Sequence, residues 1–190
     1  MNFSAVILAG GKSLRMGRDK AFLEIGGQTL LARQIGLASE IGAAEIFISG
    51  RAEADYSAFG CRVLQDKFPD AGPLAGIERA LDAAKSPLLL VLAVDLPEMN
   101  AEFLRRLAAN ASESCGAIPK LANHVEPLAA FYPKAADSLA ATSLERKNFA
   151  VKDFASQCVQ SSLARYIELD ANEAHCFANW NSPTDLSCQT

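Results

Sequence analysis

Histidine is nearly absent from this 190-residue sequence, which holds only His124 and His175, and its five cysteines are scattered with no CxxC pair. A structural zinc cluster needs closely spaced Cys and His ligands, and a disulfide framework needs a dense cysteine pattern, so neither is expected. Cys61, Cys115, Cys158, Cys176 and Cys188 read as cytosolic thiols. Positive charge is also scarce: 18 Lys and Arg against 22 Asp and Glu leave a net charge of −4. A broad nucleic-acid face must neutralise several phosphates with basic side chains, so no nucleic-acid partner is expected and any phosphate site must be local. No stretch approaches the ~20 apolar residues that span a bilayer. The N-terminus lacks a basic segment followed by an apolar run and a small-residue cleavage site. No membrane partner and a cytoplasmic location are therefore expected. Internal repeats, low-complexity tracts and linkers are missing too, so residues 1–190 are expected to form a single domain.

What is present is a half-apolar chain, enough to fill one sizeable core. Short apolar runs alternate with helix-length segments. Residues 3–9, 45–49, 61–65 and 87–94 read as strands, and 28–41, 73–85 and 101–109 as helices. The runs Ala5-Val6-Ile7-Leu8-Ala9 and Leu88-Leu89-Leu90-Val91-Leu92-Ala93-Val94 are apolar without alternation. That is the pattern of central strands covered by helices on both faces, which predicts a layered α/β fold with a mostly parallel sheet. From Gly116 the pattern is less regular. Strands at 116–119, 127–132 and 163–169 and helices at 135–141 and 149–158 would extend the same sheet.

The first strand runs into Leu8-Ala9-Gly10-Gly11-Lys12-Ser13-Leu14-Arg15-Met16-Gly17-Arg18-Asp19-Lys20, with three glycines and four basic residues in thirteen positions. Glycines such as Gly10 and Gly11 let backbone N–H groups approach an anion, and Arg15 and Lys20 can donate to a triphosphate. In a parallel sheet this loop lies at the carboxyl edge, where ligands bind. It is neither a Walker A site nor GxGxxG, since position 6 is Val6. The alternative is a basic loop that merely joins a strand to a helix.

Asp95 follows the most apolar strand directly and sits at the same edge, a good Mg²⁺ position because that ion favours one or two carboxylates with phosphate oxygens and water. An aspartate capping the next helix, with Pro97 at its start, is the other reading. Asp66 and Asp70 flank a turn after another strand, and Gly72-Pro73-Leu74-Ala75-Gly76 opens the following helix. Asp66 is a ligand candidate or a solvated loop residue, while Gly72 and Gly76 could let the backbone meet a base or ribose. His124 and Glu126 precede a strand and either touch an acceptor or form an exposed turn. His175 has no partner in sequence and is left out of the site.

The segment Leu8 to Lys20 resembles the LAGGxSxRMGxDK signature of the molybdenum cofactor guanylyltransferases and their close relatives among the nucleotidyltransferases. Gly72-Pro73-Leu74-Ala75-Gly76, Asp95-Leu96-Pro97 and the terminal Asn179-Trp180-Asn181-Ser182-Pro183-Thr184-Asp185-Leu186 resemble further blocks of the family in the expected order, covering essentially the whole chain. The resemblance implies a Rossmann-like, three-layer α/β/α nucleotidyltransferase fold, with a nucleotide-binding half to about residue 110 and an acceptor-binding half from about residue 111. It implies that Leu8, Ala9 and Gly10 line the nucleotide, Lys20 contacts phosphate, Asp66 contributes to GTP binding and Asp95 contacts both GTP and Mg²⁺. Asn179 and Asn181 resemble acceptor-side residues; a helix-start turn is compatible with that role.

The implied reaction is attack by the terminal phosphate of Mo-molybdopterin on the α-phosphorus of GTP, and it leaves room for transient contacts with molybdopterin-delivering and molybdoenzyme-associated proteins. One departure is the lack of the asparagine that the family often places near Ser49-Gly50-Arg51. A cytidylyltransferase for molybdopterin or another small acceptor would use the same loop and metal position. A non-catalytic nucleotide-binding partner protein is the rival from another class.

Overall fold

The computed structural model describes residues 1–10, 19–68 and 70–178. Strand β1 (Phe3–Leu8) is buried along its whole length, as is β6 (Leu88–Ala93). Six consecutive buried positions without alternation, all apolar but for Ser4 of β1, leave neither face of these strands fit for water. The structure covers both faces. Helices α1 (Leu30–Glu40) and α3 (Ala101–Ala109) pack with Ile7, Leu90 and Leu92 on one side. Helices α2 (Pro73–Ala83), α4 (Asp137–Glu145) and α5 (Val151–Gln160) pack with Val6, Leu89 and Val91 on the other.

The remaining strands are β4 (Glu45–Ser49), β5 (Arg62–Leu64), β7 (Gly116–Leu121), β8 (His124–Val125), β9 (Ala129–Pro133) and β10 (Ala164–Glu168), with β2 (Glu24–Ile25) and β3 (Gln28–Thr29) forming a separate hairpin. The main sheet runs β10-β7-β9-β6-β1-β4-β5, and β8 pairs with β7. β6, β1, β4 and β5 are mutually parallel; β9 is antiparallel to both β6 and β7, and β10 is parallel to β7. The second half of the chain thus continues the sheet of the first. This is the mostly parallel, three-layer Rossmann-like architecture expected.

Local differences have local causes. The helix expected over 28–41 begins at Leu30, because Gln28 and Thr29 pair with Ile25 and Glu24. Gly26 and Gly27, with φ of 58° and 79°, make the tight turn that such a two-residue hairpin needs. Thr29 then caps α1, its Oγ1 accepting from the Ala32 N–H at 3.2 Å. The helix expected at 135–141 starts as a single 3₁₀ turn, Lys134–Ala136, before α4 takes over. His124 lies not in a free turn but in β8, paired with Leu121.

Candidate active site

Strand register sets the site. Leu8 pairs with Ser49 on one side and with Ala93 on the other, and Ser49 pairs with Leu64. These residues form one row at the carboxyl edge of β1, β4, β5 and β6. Two positions beyond the row, the chain reaches Gly10, Arg51, Asp66 and Asp95. The strand order also reverses here, since β4 and β5 lie on one side of β1 and β6 on the other. Ligands of open α/β sheets bind at such a switch point. The Ala9 and Gly10 N–H groups both donate to the Ser49 carbonyl, at 2.8 and 3.1 Å, which anchors the start of the glycine loop to β4.

Lys20 opens a 3₁₀ turn, Lys20–Phe22, capped by Asp19, whose Oδ1 accepts from the Ala21 N–H at 3.1 Å. Its Nζ stands 3.3 Å from Asp95 Oδ2, with side chains 13% and 28% exposed. The far end of the basic segment therefore returns to the carboxylate after β6. Asp95 is not a helix cap: that place belongs to Asn100, whose Oδ1 accepts from the Phe103 N–H at 2.9 Å.

Beneath the Asp95 loop, the fully buried Gln34 of α1 donates from Nε2 to the Leu96 carbonyl at 2.7 Å. Tyr56 braces the neighbouring loop. Its hydroxyl accepts from the Arg51 N–H at 3.0 Å, and its ring stacks on Phe22 at a centroid separation of 5.7 Å.

Asp66 is exposed at its surface, yet the desolvation that remains and then the nearby charge of Glu78 push its carboxyl above the usual carboxylate range. Glu78 is buried on α2, with Oε1 held by Lys67 Nζ at 3.3 Å. Gly72 caps α2 with φ 69° and ψ −157°, a conformation open to glycine alone. Gly76 is buried, and a Cβ there would lie 2.2 Å from Ser49 Oγ and 3.0 Å from a Leu8 methyl. The absent side chain lets α2 meet the sheet, a close approach that by itself accounts for glycine at 76.

Asp95 also borders a cleft of about 370 Å³. One wall is Ala93, Asp95 and Leu96, the next runs from His124 to Leu128, and the third is the start of α5 at residues 150–152. The structure thus brings His124 and Glu126 to the same cleft as Asp95. His124 Nε2 lies 3.2 Å from Glu126 Oε1. Burial pushes the Glu126 carboxyl up, partly offset by His124 and Lys152.

Sequence reasoning missed Gln34, Tyr56 and Lys152. Only Lys152 carried a signal, since a cation in the first turn of a helix opposes the helix dipole. His175 is engaged locally, its Nδ1 lying 2.6 Å from the Asn172 carbonyl oxygen. Gly11, Arg15, Asn179 and Asn181 lie outside the described residues.

Among the described residues no three His, Cys, Asp or Glu side chains converge to hold a metal. A preformed cage for zinc or calcium is thus not found there. A single part-exposed carboxylate such as Asp95 would suit Mg²⁺ better, because that ion takes most of its ligands from nucleotide and water.

A mostly parallel sheet whose switch point carries Gly10, a lysine and a carboxylate has the frame of a nucleotide-handling α/β protein. The chain belongs to the MobA-like NTP transferase family, whose profile matches residues 5–160, and is a nucleotidyltransferase. It is 38% identical over 185 residues to a protein of Opitutus terrae named "Probable molybdenum cofactor guanylyltransferase", covering 96% of this chain and 92% of that one. The solved structure of molybdopterin-guanine dinucleotide biosynthesis protein A from Archaeoglobus fulgidus is similar in fold, with a TM-score of 0.75 at 22% identity over 96% of this chain and 94% of that one. So is 2-C-methyl-D-erythritol 4-phosphate cytidylyltransferase from Thermus thermophilus, with a TM-score of 0.72 at 25% identity over 98% and 96%.

Proposed function

We propose that this protein is a molybdenum cofactor guanylyltransferase that moves GMP from GTP to the terminal phosphate of Mo-molybdopterin, releasing pyrophosphate. The observation that carries the reading is the approach of Lys20 to Asp95 at 3.3 Å, at the border of the Glu126 cleft. The name of the Opitutus terrae relative supports guanine and molybdopterin as the particular substrates.

An oxygen of the acceptor phosphate forms a bond to the α-phosphorus of GTP while the bond from that phosphorus to the α–β bridging oxygen breaks. The acceptor is already ionised near neutral pH, so no protein nucleophile is needed and catalysis consists of alignment and charge stabilisation. Asp95 would hold Mg²⁺, which when bound neutralises charge on the phosphates. Lys20 offsets charge on the transferred phosphoryl group. Arg15 and the glycine-loop amides beyond Gly10 would hold the leaving pyrophosphate, while Asp66, Gly72 and the Leu8-Ala9-Gly10 edge border the nucleoside. Asn179 and Asn181 belong to the acceptor side, with His124 and Glu126.

No helix among the described residues is long and apolar enough to cross a membrane, and the four described cysteines are free thiols. Both fit work in the cytoplasm, with brief contacts to the proteins that bring molybdopterin and take the product. Pyrophosphate release measured with each of the four nucleoside triphosphates, with and without molybdopterin, tests the proposal. Release with GTP that depends on molybdopterin supports it, release with CTP would assign cytidylyl transfer instead, and GTP binding without release would leave a nucleotide-binding protein.

A further inference from the structure

The cleft between Asp95 and the start of α5 has largely apolar walls, in which Val125, Pro127, Leu128 and Val151 face a common space. Its volume of about 370 Å³ suits a fused bicyclic ring with a short substituent. Four ionisable residues, Asp95, His124, Glu126 and Lys152, share this lining, and Glu126 is the carboxylate set between Val125 and Pro127. Its side chain is 25% exposed, and the Glu126 N–H donates to the Pro119 carbonyl at 3.0 Å, which fixes the backbone that carries it. Only Oε1 has a side-chain partner among the described residues, and that partner, His124, is itself 61% exposed. A carboxylate on the wall of a largely apolar space is costly to cover with a ligand unless the ligand brings N–H donors.

We infer that Glu126 is a specificity-determining residue that accepts two parallel N–H bonds from the 2-amino-4-oxopyrimidine edge of a pterin, whose ring lies against Val125, Pro127, Leu128 and Val151 with its phosphate arm directed at Asp95. The inference rests on the proposed reaction for the identity of the acceptor. It adds which residue reads that acceptor. Two N–H groups side by side match the two oxygens of a carboxylate as an arginine fork does, and such charge-assisted pairs are the stronger hydrogen bonds. Burial strengthens Glu126 as an acceptor by raising its proton affinity.

The test is a fluorescence titration of the full chain with 6-hydroxymethylpterin and with 6-hydroxymethyllumazine, in which an oxo group replaces the 2-amino group. Wild type is expected to bind the pterin about tenfold or more tightly than the lumazine. Glu126→Gln, of equal size, and Glu126→Ala are expected to bring the two within about twofold, with unfolding temperature and GTP affinity unchanged. Equal affinities in wild type, no binding of either ring, or a preference that survives in both variants would overturn the assignment. Pyrophosphate release from GTP is read separately. Its failure alongside intact pterin preference would strike the guanylyl-transfer reading and leave Glu126 standing, and the reverse pattern would do the opposite.

Discussion

Lys20 Nζ and Asp95 Oδ2 stand 3.3 Å apart although 75 residues separate them in the chain. The pair joins the end of the basic segment to the loop after β6. Because both side chains keep some solvent contact, the bond itself adds about 0–1 kcal/mol to stability. Under the proposed reaction its importance is positional, since each partner would be offered to a ligand of opposite charge.

Lys20→Ala should therefore cut pyrophosphate release while leaving the fold intact. Losing one preorganised donor costs roughly 3–4 kcal/mol of barrier, or about 10²–10³ in rate. Steady-state kinetics and a thermal melt on the same preparation check both halves, and full activity would remove Lys20 from the mechanism.

Asp95→Asn keeps size and removes charge. With Asn100 already capping α3, no capping role masks the result. A higher Mg²⁺ requirement and lower turnover are expected, because the ion binds carboxylate better than a neutral amide. A Mg²⁺ titration of pyrophosphate release reads this directly, and a wild-type curve would sink the ligand assignment.

Asp66 has the opposite linkage sign from a salt-bridged carboxylate. Its carboxyl is raised in the folded state by partial burial and Glu78, so the folded protein holds that proton more tightly than the unfolded chain does. The ionised form thus lowers stability above the raised pKa, and the penalty disappears as pH falls below the ordinary carboxylate value of about 3.9. Asp66→Asn should raise the unfolding temperature at neutral pH and lose that advantage near pH 3, while weakening GTP binding. A variant less stable than wild type at pH 7 would contradict the charge argument.

Gly76→Ala places a Cβ 2.2 Å from Ser49 Oγ and 2.9 Å from Ser49 Cβ. Overpacking of this kind costs about 1–3 kcal/mol, a loss of roughly 2–12 °C in a chain of this size. Adding Ser49→Ala should recover part of it. An unshifted melt would show that α2 can move away freely.

Much of the fold was legible because it follows from local pattern. Unalternating apolar runs marked β1 and β6 as doubly covered strands. Asp95 was legible by adjacency, standing two residues beyond the last residue of β6. The β2–β3 hairpin was overlooked because Gln28 and Thr29 suit a helix start as well as a strand, and only the Gly26-Gly27 turn decides between them.

What composition and spacing settle is whatever acts within one element and its next turn: which strands are buried twice, where the chain leaves the sheet, and which side chains stand at that exit. Tertiary structure alone decides which exits meet. Gln34 reaches the Leu96 carbonyl across 62 residues, and Lys152 joins Glu126 and Asp95 at one cleft because α5 packs against α4 and β10 and, through Phe154 on Tyr132, against β9. No local pattern encodes these contacts. They depend on strand order and register, which are chosen by burying the whole core at once, so one side chain's partner is fixed by packing spread over the entire sheet.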